Sequence, residues 1–221
     1  MRFIYLFLAL LIGDLIAQSF RPQYPFLEYI FKPALMISLI FYFQKQSLLR
    51  GGKQDWWILL ALIFSCFGDI ALMFNGGFLI GLGNFLIAHI CYIFAFLKDN
   101  RGIIFTKKDR LMGVIGILIY GVALLFYLIP HLGAMTIPVV IYASTILTML
   151  LTTLNRWKSV RWDSFQWVFL GAILFVISDS LIAVSRFIGQ FPLSGILIMV
   201  TYALGQYLIV EGYLKKRNTF V

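Results

Sequence analysis

Residues 111–129 read LMGVIGILIYGVALLFYLI, a stretch of nineteen residues without a charged side chain. A helix rises about 1.5 Å per residue, so this stretch is about 28 Å long and matches the ~30 Å hydrocarbon core of a bilayer. A backbone that crosses lipid has to satisfy its own hydrogen bonds, which a helix does within one segment. The stretch therefore predicts a transmembrane helix.

Seven similar apolar runs flank this stretch. Together the eight runs cover residues 3–20, 27–43, 56–74, 78–97, 111–129, 134–154, 165–183 and 195–214. Of the 221 residues, 62% are hydrophobic and 12% are charged, with a mean hydropathy of +0.94. Soluble domains average about 45–50% apolar and about 25% charged residues. We therefore predict an all-α, polytopic membrane protein of about eight transmembrane helices, with a single transmembrane domain over residues 1–221.

The basic residues alternate between the two sides of the predicted spans. Fifteen of the 18 lie near the N-terminus, in the C-terminal tail or in the loops at 44–55, 98–110 and 155–164, all on one side. The other side has short turns at 75–77 and 130–133, which predict tight hairpins. Because Lys and Arg are enriched in cytoplasmic loops, we expect both termini in the cytoplasm. The expected location is a bacterial inner (cell) membrane.

The net charge of +9 is accordingly interpreted as a topology signal. A basic soluble domain would suggest a nucleic-acid partner, but short loops offer no basic face of that size, so we expect no nucleic acid. A secondary attraction to anionic membrane lipid fits the same loops.

A weak internal repeat relates the third and seventh runs. Gly68-Asp69 and Ser178-Asp179 share the pattern of a small residue, Asp, two further residues and an aliphatic residue. The two runs are four apart, so the pattern indicates two four-helix halves related as parallel repeats.

Ionisable side chains inside the apolar runs are the candidates for function. Such a group raises the free energy of insertion by at least ~2.5 kcal/mol at a helix centre. Helix rise places these groups at overlapping depths, in the middle-to-outer part of the bilayer. Each also has a structural explanation, namely bonding to neighbouring backbone, packing between helices, or snorkelling of a lysine to the headgroups. The candidates are Asp14, Lys32, Asp69, His89 and Asp179, with Asn84, Tyr202 and Gln206 as polar helpers.

Several familiar chemistries are absent from the sequence. It contains no Gly-x-Ser-x-Gly elbow and no phosphate-binding loop. Two histidines, His89 and His131, cannot build a His-rich metal cluster, and a carboxylate-and-His site has no supporting ligand spacing. We predict no metal and no cofactor. Cys66 and Cys91 lie within apolar runs and are interpreted as packing residues.

The polar residues and their neighbours resemble the YhhN family of eight-helix membrane lysoplasmalogenases, over nearly the whole chain. The resemblance rests on Lys32-Pro33, Phe64-Ser65-x2-Gly68-Asp69-x2-Leu72-Met73, Phe85-x2-Ala88-His89-x2-Tyr92, Ser178-Asp179-x2-Ile182-Ala183 and Tyr202-x3-Gln206. It implies hydrolysis of the vinyl-ether bond of a lysoplasmalogen, a lysophospholipid, to a fatty aldehyde and a glycerophospho-ethanolamine or -choline.

This chemistry fits two carboxyl groups. A vinyl ether is hydrolysed by protonation at carbon, which gives an oxocarbenium-like cation that water captures. Glycosidases divide a similar task between an acid and an anion. By analogy, Asp69 and Asp179 would be the catalytic pair, with the acid of the two left open and Asp14 as a third member.

The remaining candidates would bind and orient the substrate. Lys32 would bind the lipid phosphate, whereas the polar helpers would orient water and the carboxyl groups. These polar helpers are His89, Asn84, Tyr202 and Gln206.

A small transporter or lipid-binding protein is the alternative function. The internal repeat with acidic groups near mid-membrane favours it, whereas eight spans in 221 residues leave little mass that could move. Aldehyde release by purified protein would favour the enzyme, and proton-coupled uptake without chemical change would favour transport.

Overall fold

The computed structural model describes residues 2–20, 25–50, 55–99 and 108–216, and these ranges contain eight α-helices and no strand. The helices are α1 Arg2–Ser19, α2 Glu28–Leu49, α3 Trp56–Leu72, α4 Phe78–Leu97, α5 Lys108–Leu132, α6 Thr136–Leu154, α7 Trp162–Phe187 and α8 Ser194–Lys215. The predicted all-α fold of about eight helices is confirmed.

Four helical segments of the described chain are long and apolar enough to cross a membrane: Phe78–Leu97, Leu111–Leu154, Trp162–Phe187 and Ser194–Lys215. The second of these combines α5 and α6. Phe3–Ser19 and Trp56–Leu72 are shorter apolar helices. The protein is therefore an integral membrane protein.

Several helix ends differ from the predicted boundaries. α2 continues to Leu49, so Lys45 is helical and not part of a loop. α5 runs through Pro130 to Leu132, and a 3-10 turn at Gly133–Met135 then leads into α6. The helix ends there because Gly133 adopts a left-handed φ of +51°, the usual conformation just past a helix C-terminus.

Some of the charges used to predict the topology lie outside the described residues, namely Arg21, Lys53, Arg101, Lys107 and Arg217. The turn predicted at 75–77 is confirmed, since α3 ends at Leu72 and α4 begins at Phe78. Gly76 in this turn has a φ of +84°, which glycine adopts without strain.

The described chain divides into two compact units, and the division falls within α4, between Cys91 and Tyr92. In the first unit, consecutive helices run antiparallel. The ring of Phe3 on α1 stacks on Tyr42 of α2 at 3.9 Å between centroids. Tyr29 Oη, at the other end of α2, donates to the Met73 carbonyl just after α3 at 3.4 Å. The single transmembrane domain stays a prediction.

In the second unit, α7 and α8 pack backbone against backbone. A Cβ added to Gly171 would lie 2.7 Å from the Gly205 carbonyl oxygen, and one added to Gly212 would lie 2.7 Å from the Val168 nitrogen. Small residues at membrane helix interfaces permit this close approach. We call this contact the glycine seam. It fixes the position of α7, which carries Asp179.

Candidate functional site

Lys32 and Asp69 come together in the first unit. Lys32 Nζ lies 4.0 Å from Asp69 Oδ1, at the outer limit of an ion pair. α2 and α3 are antiparallel, so a residue near the start of α2 meets one near the end of α3. The Lys32 side chain is 16% exposed and that of Asp69 3%. The pair is therefore buried but loosely joined.

Asp14 on α1 belongs to the same unit and is fully buried. Its Oδ2 accepts a hydrogen bond of 2.7 Å from Gln18 Nε2, one helical turn further along. Within the described residues, Asp14 Oδ1 has no hydrogen-bond donor. Lys32 attracts the Asp14 carboxylate electrostatically. We call Asp14, Lys32 and Asp69 the Lys32 group.

The α4 candidates His89 and Asn84 also lie in the first unit. His89 is fully buried. Asn84 Nδ2 donates to the Ile80 carbonyl of its own helix at 2.8 Å, which engages one of its two amide protons. Among the described side chains, no three of His, Cys, Asp or Glu gather as a metal site would require.

Asp179 lies in the second unit, where Tyr142 Oη on α6 donates a hydrogen bond to Asp179 Oδ2. Tyr142 is buried and Asp179 is half-buried. A hydrogen bond between two hydroxyl groups follows one residue later, since Tyr120 Oη on α5 donates to Ser180 Oγ at 2.7 Å. α5, α6 and α7 thus each supply one side of a polar patch.

A cavity adjoins this patch, and we call it the α5–α7 cavity. Its unfilled space, counted to its open mouth, is about 430 Å³. The polar side chains in its wall are those of Tyr120, Tyr142, Asp179 and Ser180. The rest of the wall is apolar.

The α8 candidates Tyr202 and Gln206 do not line this cavity. Gln206 is fully buried, and its Oε1 accepts a hydrogen bond of 2.5 Å from Tyr92 Oη. The ring of Tyr202 packs edge-on against Phe175, 5.4 Å between centroids. The catalytic pairing of Asp69 with Asp179 involves residues of both units and stays a prediction.

Sequence reasoning missed Tyr142 and Gln18 as partners of the aspartates. Gln18 lies four residues after Asp14, a spacing that places two side chains on one helix face, so it could have been found. Tyr142 lies 37 residues before Asp179 and on a different helix. No local pattern connects the two.

Arg156, between α6 and α7, is the centre of a buried charge cluster in the second unit. Its side chain has no exposed surface, and Nε donates to Asp99 Oδ2 at 2.9 Å. Nη2 donates to Ser164 Oγ at 3.0 Å. The rings of Phe96 and Tyr213 lie 5.7 and 5.5 Å from its guanidinium carbon. We call these residues, with Lys216, the Arg156 cluster.

This cluster gives a buried structural role to Arg156, which the topology prediction counted among the basic residues of the loop at 155–164. Lys216 also binds Asp99, and Ser164 Oγ donates to the Gly212 carbonyl at 2.6 Å. Burial lowers the pKa of Arg156 to about 10, so the guanidinium is still charged at neutral pH. The cluster joins the ends of α4, α6 and α8 to the start of α7.

Comparison with known proteins places these residues in a family. The sequence model of the YhhN family matches residues 27–213. A lysoplasmalogenase of Mycobacterium tuberculosis is 33% identical over 167 residues, 73% of this chain and 62% of the relative. Lysoplasmalogenase TMEM86B of Rattus norvegicus is 30% identical over 166 residues, 75% of this chain and 64% of the relative.

A third relative is similar over a comparable share of the chain. A lysoplasmalogenase homolog of Dictyostelium discoideum is 30% identical over 190 residues, 69% of this chain and 61% of the relative. The chain spans less than two thirds of the length of these curated relatives. No solved structure matches it.

Proposed function

This chain belongs to the YhhN family, and on that premise we propose that it hydrolyses the vinyl-ether bond of lysoplasmalogen-type lysophospholipids within the membrane. Its products are a fatty aldehyde and a glycerophospho-headgroup. The observation that carries the proposal is the presence of two carboxyl groups within apolar helices, Asp69 buried beside Lys32 and Asp179 half-buried beside Tyr142.

The proposed reaction needs a proton donor and an anion. A carboxylic acid protonates the alkenyl carbon that does not bear oxygen, and the other vinyl carbon becomes an oxocarbenium-like cation. Water adds to this cation and loses a proton to the second carboxylate. The hemiacetal then breaks its bond to the glycerol oxygen, which takes a proton from the second carboxyl and leaves as an alcohol. The hemiacetal hydroxyl gives its proton to the first carboxylate, and the aldehyde remains. We assign the two carboxyl roles to Asp69 and Asp179.

The charge balance of the Lys32 group supports an acid in the first unit. Asp14 and Asp69 share the ammonium of Lys32, and Glu28 adds a further negative charge that acts on Asp14. A proton on one of the two carboxyls lowers this excess of negative charge, which is costly in a buried group. The group therefore suits a carboxylic acid that keeps a transferable proton.

Lys32 is also our candidate for the substrate phosphate. Its ammonium has three donors, and a separation of 4.0 Å from Asp69 leaves it loosely held. We propose that Asn84, His89, Tyr202 and Gln206 complete the polar surroundings of substrate and water.

Aldehyde release tests the function. Purified protein in detergent is mixed with a 1-alkenyl lysophosphatidylethanolamine and, in parallel, with its saturated 1-alkyl analogue, which has no vinyl group to protonate. We expect aldehyde only from the alkenyl lipid. Release from neither lipid, with folded and monodisperse protein, would contradict the proposal.

A lipid-binding or transport protein is the second candidate, because the α5–α7 cavity is apolar and open. It predicts binding of both lipids without any product. Movement of intact lipid between the leaflets of protein-containing liposomes, with no aldehyde formed, would favour this function.

We further propose that both termini face the cytoplasm of a bacterial inner membrane. The basic loops support this orientation. Arg156 belongs to a buried cluster, so it adds little to the positive charge that its loop exposes. Reporter fusions within residues 98–110 and after residue 217 should give cytoplasmic signals, whereas fusions at Gly76 and Gly133 should give external ones. A cytoplasmic signal at Gly76 would contradict this topology.

A further inference from the structure

The hydrogen bonds of the Lys32 group are incomplete. Asp14 is fully buried, yet its Oδ1 has no hydrogen-bond partner among the described residues. Lys32 Nζ lies 4.0 Å from Asp69 Oδ1, whereas hydrogen bonds from nitrogen to oxygen are at most about 3.2 Å long. The ammonium therefore attracts Asp69 but donates no hydrogen bond to that oxygen. It can turn toward another anion without breaking such a bond.

Binding of a phosphate would change the charge balance of this group. Lys32 is partly exposed, whereas both carboxyls are buried, so a ligand at the surface meets the ammonium first. A lipid phosphate adds one negative charge and competes with Asp14 and Asp69 for the ammonium that they share. A buried charge that loses its counterion is costly. One proton on either carboxyl restores the charge that the group had before the phosphate was bound.

Other titratable groups from the surrounding helices also have to be considered. Glu28 on α2 acts electrostatically on Asp14, Cys66 on α3 is affected by the charge of Asp69, and α4 contributes the buried His89. A thiol carries its proton at neutral pH, so Cys66 cannot accept a second one. Glu28 and His89 could each accept a proton, and the experiment has to separate them from the two aspartates.

We propose that the Lys32 group takes up one proton when its ammonium binds the phosphate of the lysolipid, so that the acid forms with the substrate in place. The inference rests on the proposed function. Solvent supplies the proton, and the Asp14–Asp69 pair holds it. Asp69 then gives a proton to the alkenyl carbon and regains one from the hemiacetal hydroxyl. The pair returns the extra proton to solvent when the product leaves and the ammonium turns back.

Proton uptake on binding tests this inference without turnover. The probe is 1-O-hexadecyl lysophosphatidylethanolamine, whose saturated ether has no vinyl group to protonate, and 1-O-hexadecylglycerol is the matched ligand without phosphate. Near neutral pH the phosphate diester and the amine of the probe keep their charges. Calorimetric titrations of the full chain in detergent, in buffers of different ionisation enthalpy, give the protons taken up per bound lipid. We expect about one for the probe and none for hexadecylglycerol.

Variants locate the proton. The double variant Asp14→Asn/Asp69→Asn removes both carboxyls and keeps the other titratable groups, so the probe should still bind and the uptake should disappear. Asp163→Asn is the matched control, because Asp163 pairs with Arg161 at the surface of the second unit, and its uptake should equal that of the wild type. Full uptake in the folded double variant would put the proton on another group and overturn the proposal. So would probe binding without uptake in the wild type, whatever the variants do.

Turnover of phosphate-free lipid gives a second measurement on the wild-type protein. A 1-alkenylglycerol has the vinyl ether but leaves the ammonium beside Asp69, so the acid does not form. We expect kcat to fall at least about tenfold relative to the alkenyl lysophospholipid, because a remote group that contributes only binding would change KM and leave kcat unchanged. An unchanged kcat with a raised KM would overturn the proposal.

The outcomes separate this inference from the proposed function. If the probe binds with proton uptake but the alkenyl lipid releases no aldehyde, the hydrolase proposal fails and the proton coupling remains. If aldehyde is released and the probe binds without uptake, the coupling fails and the hydrolase remains. No binding of the probe at all would remove the phosphate site, and the coupling with it.

Discussion

The Arg156 cluster and the Lys32 group both place a basic side chain beside a buried aspartate, but they differ in how firmly it is held. Arg156 has no exposed surface and lies 2.9 Å from Asp99, with Ser164 and two aromatic rings filling its other sides. Lys32 is 16% exposed and 4.0 Å from Asp69. A buried charge that is enclosed by close protein contacts stabilises the fold. A charge that is partly exposed and farther from its protein partner can bind a ligand.

The largest expected effect comes from Asp69→Asn, which removes a proton while keeping the size of the side chain. We expect aldehyde release to fall several hundred-fold or more, in line with the ~10²–10⁴ that positioned acid–base groups contribute. Thermal unfolding in detergent should stay unchanged or shift upward, because Asp14 still balances the Lys32 charge. Asp179→Asn should behave alike.

The double variant of these aspartates should be hardly slower than the slower single one, since residues that act as a unit are not additive. Near-normal release by both single variants, at normal expression, would remove the two-carboxyl mechanism.

Arg156→Met tests the other side of the comparison. It leaves Asp99 buried with Lys216 as its remaining cation, and breaking a buried pair lowers the free energy of unfolding by about 3–5 kcal/mol. We expect a marked fall in Tm, with KM and turnover per folded molecule unchanged. Arg161→Met is the matched control, because Arg161 pairs with Asp163 at the surface, where such pairs contribute about 0–1 kcal/mol.

Lys32→Met likewise replaces the basic residue of the Lys32 group by Met. It should raise KM without a marked fall in Tm. If the ammonium binds the lipid phosphate, the loss of a hydrogen bond to a charged group, ~1.5–3 kcal/mol, raises KM about 10- to 100-fold. Turnover at saturating lipid should fall less. Steady-state kinetics at several lipid concentrations separates the two constants, and an unchanged KM would indicate that Lys32 does not bind substrate.

Tyr142→Phe is expected to have the smallest effect. It removes the hydroxyl that holds Asp179 and leaves a half-buried carboxylate short of one donor, a loss of ~1–2 kcal/mol or about tenfold in kcat/KM. Tyr120→Phe, which loses only the bond to Ser180, should leave kcat/KM near the wild-type value.

The helices could be predicted from sequence because each one is a long apolar run, and lipid demands that such a run be helical. The predicted ends of the helices were less accurate, because they were placed where the apolar runs end. α2, for example, continues beyond its apolar run through Lys45. Pro130 indicated a turn, yet the helix ends at Leu132 because Gly133 takes the left-handed conformation.

The Lys32 group could be anticipated from sequence because ionisable residues stand out in apolar runs. Its contacts could not, since the pairing of Lys32 with Asp69 depends on how α2 meets α3. The burial of Arg156 was missed for a related reason. Its neighbours along the chain are polar, and its partners Asp99 and Ser164 come from other elements.

The glycine seam also has a mechanical consequence. A Cβ at Gly171 or Gly205 would meet backbone atoms, which cannot swing aside, whereas one at Gly121 would meet the flexible end of Leu147. The α7–α8 pair is therefore the stiff half of the second unit, and α5 is the compliant wall. A side chain added at Gly171 or Gly205 would therefore displace α7 and with it Asp179, whereas one added at Gly121 would displace only the Leu147 side chain.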